Sequence, residues 1–187
     1  MDTKHHDFEL KTELEKINRK PLDLVYRELG YFRRLVKDKE LQLLGCDVAI
    51  KNGKDELFVD EKITDKNWKF TTHLLLEVDN IWNNSGKRYK IGWALDESLI
   101  NHLHMDYCVE TGQYFLYDSK KVKAWLKENL RDLNTYPKWT EKSDEAYCPG
   151  PAPNKWMKTY NVFIPRKFLS EFLIDAGIVN SKEGIIL

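Results

Sequence analysis

Apolar and polar residues alternate on both sides of Asn52-Gly53, and this is the sharpest pattern in the chain. Val48 and Ile50 precede the dipeptide, and Leu57 and Val59 follow it. Asn-Gly favours a type I′ hairpin turn, because both residues tolerate positive φ. The pattern predicts a hairpin with Asn52 and Gly53 at the centre of its turn. Lys51 then faces Lys54, Val48 faces Leu57, Asp47 faces Phe58 and Gly45 faces Asp60. Side chains alternate along a strand. Asp47, Phe58, Asp60 and Lys62 therefore share one face, and Val48, Ile50, Leu57 and Val59 share an apolar face that can pack on a core.

Periodicity predicts the other elements. Residues 10–17 read as a short charged helix. Leu22, Val25, Tyr26, Leu29, Phe32 and Leu35 recur at helical spacing, which predicts an amphipathic helix over 21–36 opened by Pro21. Strands are predicted at 71–78 and 89–94, with a loop at 83–86 between them. Residues 105–109 and 113–117 flank Glu110-Thr111-Gly112 and read as a second hairpin. Asp118 or Ser119 can cap a helix that runs to about residue 130. A proline-rich irregular stretch covers about 137–158. A short strand follows at 161–164, and Pro165 then starts a helix that ends before Gly177. Helix, hairpin, further strands, helix, strand and helix in this order predict an α/β or α+β domain around a mixed sheet.

Composition narrows the picture. The 187 residues suit a single domain, residues 1–187, with a sizeable core. Hydrophobic content of 42% with 32% charged residues fits a globular chain. No run is apolar and long enough to span a membrane. The charged first residues lack the apolar core of a secretion signal. The three cysteines, Cys46, Cys108 and Cys148, form no disulfide framework. A reducing cytoplasm is the expected compartment. Thirty basic against thirty acidic residues argue against broad polyanion binding, though not against a local basic groove. Arg33-Arg34, Lys87-Arg88 with Lys90, Lys120-Lys121 with Lys123, and Arg166-Lys167 are basic patches that read first as solvated surface.

The polar face of the first hairpin carries the candidate chemistry. Asp47 and Asp60 become diagonal neighbours, close enough to hold one Mg²⁺ or Mn²⁺. Such an ion would activate water and neutralise a scissile phosphate. Lys62 would stabilise developing charge or orient the water. Glu61 points to the opposite face, so its backbone carbonyl is the better extra ligand. The acid-x-Lys pattern also occurs at Asp118-Ser119-Lys120. Asp106 lies upstream of that site at nearly the spacing that separates Asp47 from Asp60. A helix cap explains Asp118, whereas Asp60 lies inside a strand pattern. A second chemistry to weigh is zinc held by His102, His104, Cys108 and Cys148, at a spacing that matches no standard finger. Trp139 and Trp156 flank the proline-rich stretch and are candidates for a binding lid or stacking platform.

Gln42-Leu43-Leu44-Gly45-Cys46-Asp47, a short hairpin, and Val59-Asp60-Glu61-Lys62 together resemble the PD-(D/E)xK nuclease superfamily. The closest look is to bacterial and phage members with Gln-x-x-Gly-x-Asp before an Asp-Glu-Lys strand. Holliday-junction resolvases and type II restriction enzymes share the core more distantly. The resemblance covers about residues 41–62 and thins beyond Glu77 and Gly92-Trp93. The leading proline before Asp47 is absent. The resemblance implies a restriction-endonuclease-like fold, a mixed central sheet flanked by helices. It also implies a Mg²⁺- or Mn²⁺-dependent endonuclease acting on DNA, with Asp47, Asp60 and Lys62 at the catalytic positions. Gly45 would leave room for metal or phosphate opposite Asp60. Glu28 or Asp23 could add an acid from the first helix, and Gln42 and Glu77 could serve as auxiliary residues. Related enzymes often act as homodimers. The competing classes are a non-catalytic nucleic-acid-binding protein on the same fold, and a structural or interaction protein whose hairpin is plain surface.

Overall fold

The computed structural model describes residues 19–64, 72–82, 85, 88–129, 151–153, 157–180 and 185–186. The helix expected at 10–17, Trp139, Trp156, Cys148 and most of the proline-rich stretch lie outside these residues, as does most of the 83–86 loop. The fold is mixed α+β. A seven-stranded mixed sheet is flanked by helices, and a second, four-stranded antiparallel sheet lies beside it.

Helix α1 (Arg19–Glu28) turns Leu22, Val25 and Tyr26 fully inward. It stops well short of the predicted end at 36. Gly30 takes φ 81°, and the N–H groups of Gly30 and Tyr31 bond back to the Arg27 and Tyr26 carbonyls. The apolar residues that continue the helical period enter strand β1 (Phe32–Leu35) instead. A short helix α2 (Lys39–Leu43), capped by Asp38, had no counterpart in the sequence reading. Strands β2 (Val48–Asn52) and β3 (Asp55–Thr64) form the expected hairpin in a different register. Asn52 pairs with Asp55 and Val48 with Val59, so Gly53, at φ 61°, and Lys54 make the turn. The slip is by two residues, and a slip of two keeps every side chain on its face.

β4 (His73–Trp82) and β5 (Arg88–Ile91) follow, then β6 (Leu103–Cys108) and β7 (Gln113–Asp118), which form the second expected hairpin. Helix α3 (Ser119–Asn129) begins where a cap at Asp118 predicts it, and Asp118 accepts the Lys121 N–H at 3.1 Å. Beyond the next undescribed stretch come β8 (Pro151–Pro153) and β9 (Met157–Pro165). Part of the stretch expected to be irregular is therefore an edge strand, where proline's missing N–H does no harm. The helix expected after Pro165 is only a 3₁₀ segment (Arg166–Phe172). β10 (Leu173–Asn180) replaces the rest and pairs with β7, and the short β11 (Ile185–Ile186) pairs with β10. The Tyr114 hydroxyl donates to Asp175 at 2.6 Å, tying β10 to β7. The β-branched Ile174, Ile178 and Val179 suit a strand better than a helix.

In the central sheet the order is β1-β2-β3-β6-β7-β10-β11. Every pair is antiparallel except β3 with β6. A parallel pair needs a long crossover. Here that connection runs through β4 and β5 of the second sheet, whose order is β5-β4-β9-β8. One face of the central sheet packs Val48, Ile50, Val59, Leu103 and Met105 on α1. Tyr117, on the other face, packs with α3, β4 and β9. Fully burying each such side chain contributes about 1.5–3 kcal/mol. Among the described residues no helix is long and apolar enough to cross a membrane.

Glu61 lies on the α1 face, as its position in the strand requires. It accepts from Arg33 Nε at 2.9 Å and from a second Arg33 nitrogen at 2.6 Å, and the two side chains are only 7% and 5% exposed. Removing one partner of a buried pair strands the other's charge. Glu61→Ala is expected to cost about 3 kcal/mol or more in urea unfolding. A loss below about 1 kcal/mol would mean that this pair does not fasten α1 and β1 to the sheet.

Candidate active site

The side of the central sheet that faces away from α1 gathers the charged residues. Asp47 lies just before β2. Its N–H donates to the Val59 carbonyl at 3.0 Å, and its own carbonyl accepts the Val36 N–H at 3.0 Å. The paired register ends at Val48 with Val59, and Asp47, one residue before it, brings its carboxyl close enough to Asp60 for the two to interact. Gly45 does not face Asp60. It lies just past the end of α2, where its N–H bonds the Gln42 carbonyl at 3.1 Å.

Asp60 is 4% exposed and both of its oxygens are engaged. Lys62 Nζ donates to Oδ1 at 2.6 Å, and His104 Nδ1 lies 3.3 Å from Oδ2. The parallel register makes this possible, because it pairs Asp60 with His104 and Lys62 with Asp106. His104 Nε2 in turn lies 3.1 Å from Asp106 Oδ1, and Arg166 donates to Asp106 Oδ2 at 2.9 Å and to the Tyr117 hydroxyl at 3.0 Å. Charges alternate along this ladder, from Lys62 through Asp60, His104 and Asp106 to Arg166. Two ionised carboxylates can both accept from one imidazole only if both ring nitrogens carry hydrogen. Burial pushes the His104 pKa down, but Asp106 and Asp60 outweigh it and raise it. Burial likewise opposes the charge of Asp106, and His104 and Arg166 overcome it. Trp93 stacks on His104 at 4.6 Å between ring centres, and Lys62 lies over the same indole at 5.6 Å. The Arg166 guanidinium sits 3.9 Å above the Phe115 ring.

The two aspartates differ sharply in charge state. Burial works against the ionised form of Asp60, but Lys62 and His104 hold its pKa well below the usual carboxylate range. Asp47 has weaker support. Burial pushes its pKa up to about 7 and the Asp60 carboxylate adds to the rise, while Lys62 and the Glu61 N–H, donating to Asp47 Oδ2 at 2.9 Å, pull against it. A buried pair of carboxylates that cannot comfortably hold both charges is a setting a cation would relieve. The donor set fits Mg²⁺ or Mn²⁺, which take hard oxygens and commonly need only one or two carboxylates, with water and substrate phosphate completing the shell. Asp47 and Asp60 would be those ligands. Among the described residues no group of three or more His, Cys, Asp or Glu converges as a metal site.

The other candidates fall into place around this pair. Glu77, half-buried on β4, acts electrostatically on Lys62. Gln42 spends its side-chain amide on the Val36 carbonyl at 2.7 Å, which supports the lead-in to Asp47 without touching the carboxylates. Glu28 is exposed on α1, and Asp23 pairs with Arg33. Both belong to the helix on the far side of the sheet, so neither converges with Asp47 and Asp60. Glu61 joins the site only through its main chain. The zinc alternative separates, because His104 sits between two carboxylates while His102 stacks on Phe58 and accepts the Phe58 N–H at 3.0 Å. Asp118 caps α3, and Asp106 joins the ladder instead of pairing with it. Burial pushes the Cys46 thiol up to about 11, far from thiolate chemistry at neutral pH. A groove of about 490 Å³ along Arg34–Asp38 and Leu41 has neither carboxylate in its lining.

His104, Asp106 and Arg166 were not read together from sequence. His-x-Asp on one strand face was a usable signal only once β6 is known to run beside β3. Arg166 had none, because a basic pair after a strand reads as surface.

The raised pKa of Asp47 makes metal-free stability depend on pH. Between its unfolded value near 4 and about 7, the folded state holds the extra proton, so this contribution falls as pH rises through that window. In EDTA, Asp47→Asn is expected to gain in Tm over wild type by about 2–4 °C or more between about pH 5 and about pH 8. A Tm difference that does not change with pH would contradict the assignment.

No protein-family model, no curated protein and no solved structure matches the chain.

Proposed function

We propose that the chain is a divalent-metal-dependent endonuclease that hydrolyses DNA phosphodiester bonds on a restriction-endonuclease-like core. One observation carries this reading: Asp47, Asp60 and Lys62 converge on one sheet face, with the lysine bonded to the second aspartate at 2.6 Å. A helix ahead of the hairpin and a mixed sheet with helices flanking it agree with such a core. Mg²⁺ or Mn²⁺ held by Asp47 and Asp60 would supply a Lewis acid for the scissile phosphate and an activated water. Asp60 is kept ionised for that role by Lys62 and His104. Asp47 would bind such a cation as the carboxylate, without the proton that burial favours. Lys62, with part of its side chain exposed, would meet a substrate phosphate or orient water.

The test uses branched, single-stranded and duplex DNA with Mg²⁺ or Mn²⁺. Cleavage is expected with either ion and lost in EDTA. Asp47→Asn, Asp60→Asn and Lys62→Met should each lower the rate by about 100-fold or more, the scale of one preorganised electrostatic contact, with folding intact by circular dichroism. Asp118→Ala should cleave like wild type. Cleavage that survives in Asp60→Asn and disappears in Asp118→Ala would place the chemistry elsewhere. DNA binding without cleavage under any metal would favour a non-catalytic binder on the same scaffold.

A further inference from the structure

Lys123 is the second lysine at this site, and it is set apart by its partners. It lies on α3, half-buried, and its ammonium bonds Asn101 Oδ1 at 3.2 Å and the Asp96 carbonyl at 3.4 Å. Both acceptors are neutral. Among the described residues no carboxylate lies within ion-pair distance of it, in contrast to Lys62, which bonds Asp60 directly. Asn101 is itself fixed. It is 3% exposed, and its amide nitrogen donates to Ser119 Oγ at 2.8 Å and to the Leu103 carbonyl at 3.2 Å. Its oxygen therefore has one orientation, and the ammonium is held where that oxygen points.

The place is beside the turn that leads into Asp47. A Cβ on Gly45 would come within 3.4 Å of Asn101 Oδ1, so Asn101 abuts the turn that leads into Asp47. Burial pushes the ammonium's pKa down, and the Asp60 and Asp96 carboxylates pull on it electrostatically from beyond ion-pair distance. Lys62 reaches Asp60 along β3 and Lys123 approaches from α3. A half-buried cation with only neutral partners has unused capacity for an anion. A divalent ion held by Asp47 and Asp60 would weaken the pull of Asp60 on Lys123 and leave a phosphate oxygen as its natural partner.

We propose that Lys123 is a substrate-binding residue of this site, gripping a backbone phosphate of the DNA, with Asn101 as the positioning residue that aims it. The proposal rests on the nuclease reading and adds a contact that the acid-x-Lys pattern does not contain.

DNA binding by the full chain, measured by fluorescence anisotropy on a duplex across a salt series, tests it, with Ca²⁺ replacing Mg²⁺ to hold back cleavage. A lysine that neutralises one phosphate contributes about 0.9 to the slope of log K against log salt. Lys123→Met, which keeps the aliphatic stem, should flatten the slope by about that much, and Lys123→Arg should keep the wild-type slope. Lys120→Gln, on the exposed side of the same helix, should change nothing. Lys123→Gln serves as the second neutral variant if Lys123→Met does not fold. A neutral variant that folds and retains the wild-type slope overturns the proposal and leaves Lys123 as a tie between α3 and the 96–101 segment. Wild-type protein that binds no DNA at any salt overturns the nuclease reading and this proposal together.

Discussion

Asp60 can be buried beside a second carboxylate only because cations hold it from two directions. Lys62 takes one oxygen and His104 faces the other. An unpaired carboxylate at that depth would protonate instead of staying charged. The same logic passes down the sheet, since His104 needs Asp106 on its far side and Asp106 needs Arg166. Breaking any link leaves a buried charge without its partner. Asp47 is where this arrangement runs short of positive charge, and a carboxylate with a pKa pushed up to about 7 is the result. That shortfall of positive charge at Asp47 is the ground for the proposed divalent cation.

One topological choice makes the ladder possible. Parallel pairing of β3 with β6 aligns Asp60 with His104 and Lys62 with Asp106 on a single face. The crossover that such pairing demands is made by the second sheet, which delivers Glu77 and Trp93 to the same neighbourhood. Helix α1 covers the opposite face, where Arg33 of β1 bridges Glu61 of β3 and Asp23 of the helix. Adjacent residues of one strand therefore serve separate ends. Asp60 faces Lys62 and His104, and Glu61 holds Arg33 on the helix side.

Much of this was legible in the hairpin alone. The turn falls one residue later than the pattern predicts, yet Asp60 and Lys62 keep their face, because alternation survives a slip of two residues, and the Asp47 carboxyl still reaches them. Local signals also found the second hairpin and α3. They failed where two periods compete. Phe32 and Leu35 continue a helical spacing that Gly30 interrupts, and Leu173 follows a helical pattern that pairing with β7 converts to strand. The ladder was hidden for a different reason. His104 and Asp106 meet Asp60 only through a non-local parallel pairing, and Arg166 opens the 3₁₀ segment that follows β9 of the other sheet. Nothing in the local composition around those residues encodes that meeting.

The central claim is that Asp47 and Asp60 together hold one divalent cation. Anomalous diffraction from crystals soaked in Mn²⁺ addresses it directly. The account predicts a single strong peak between the two carboxylates, with Mn–O distances of about 2.0–2.3 Å, that disappears in Asp60→Asn crystals. Strong Mn²⁺ density elsewhere, with none between Asp47 and Asp60, would contradict it.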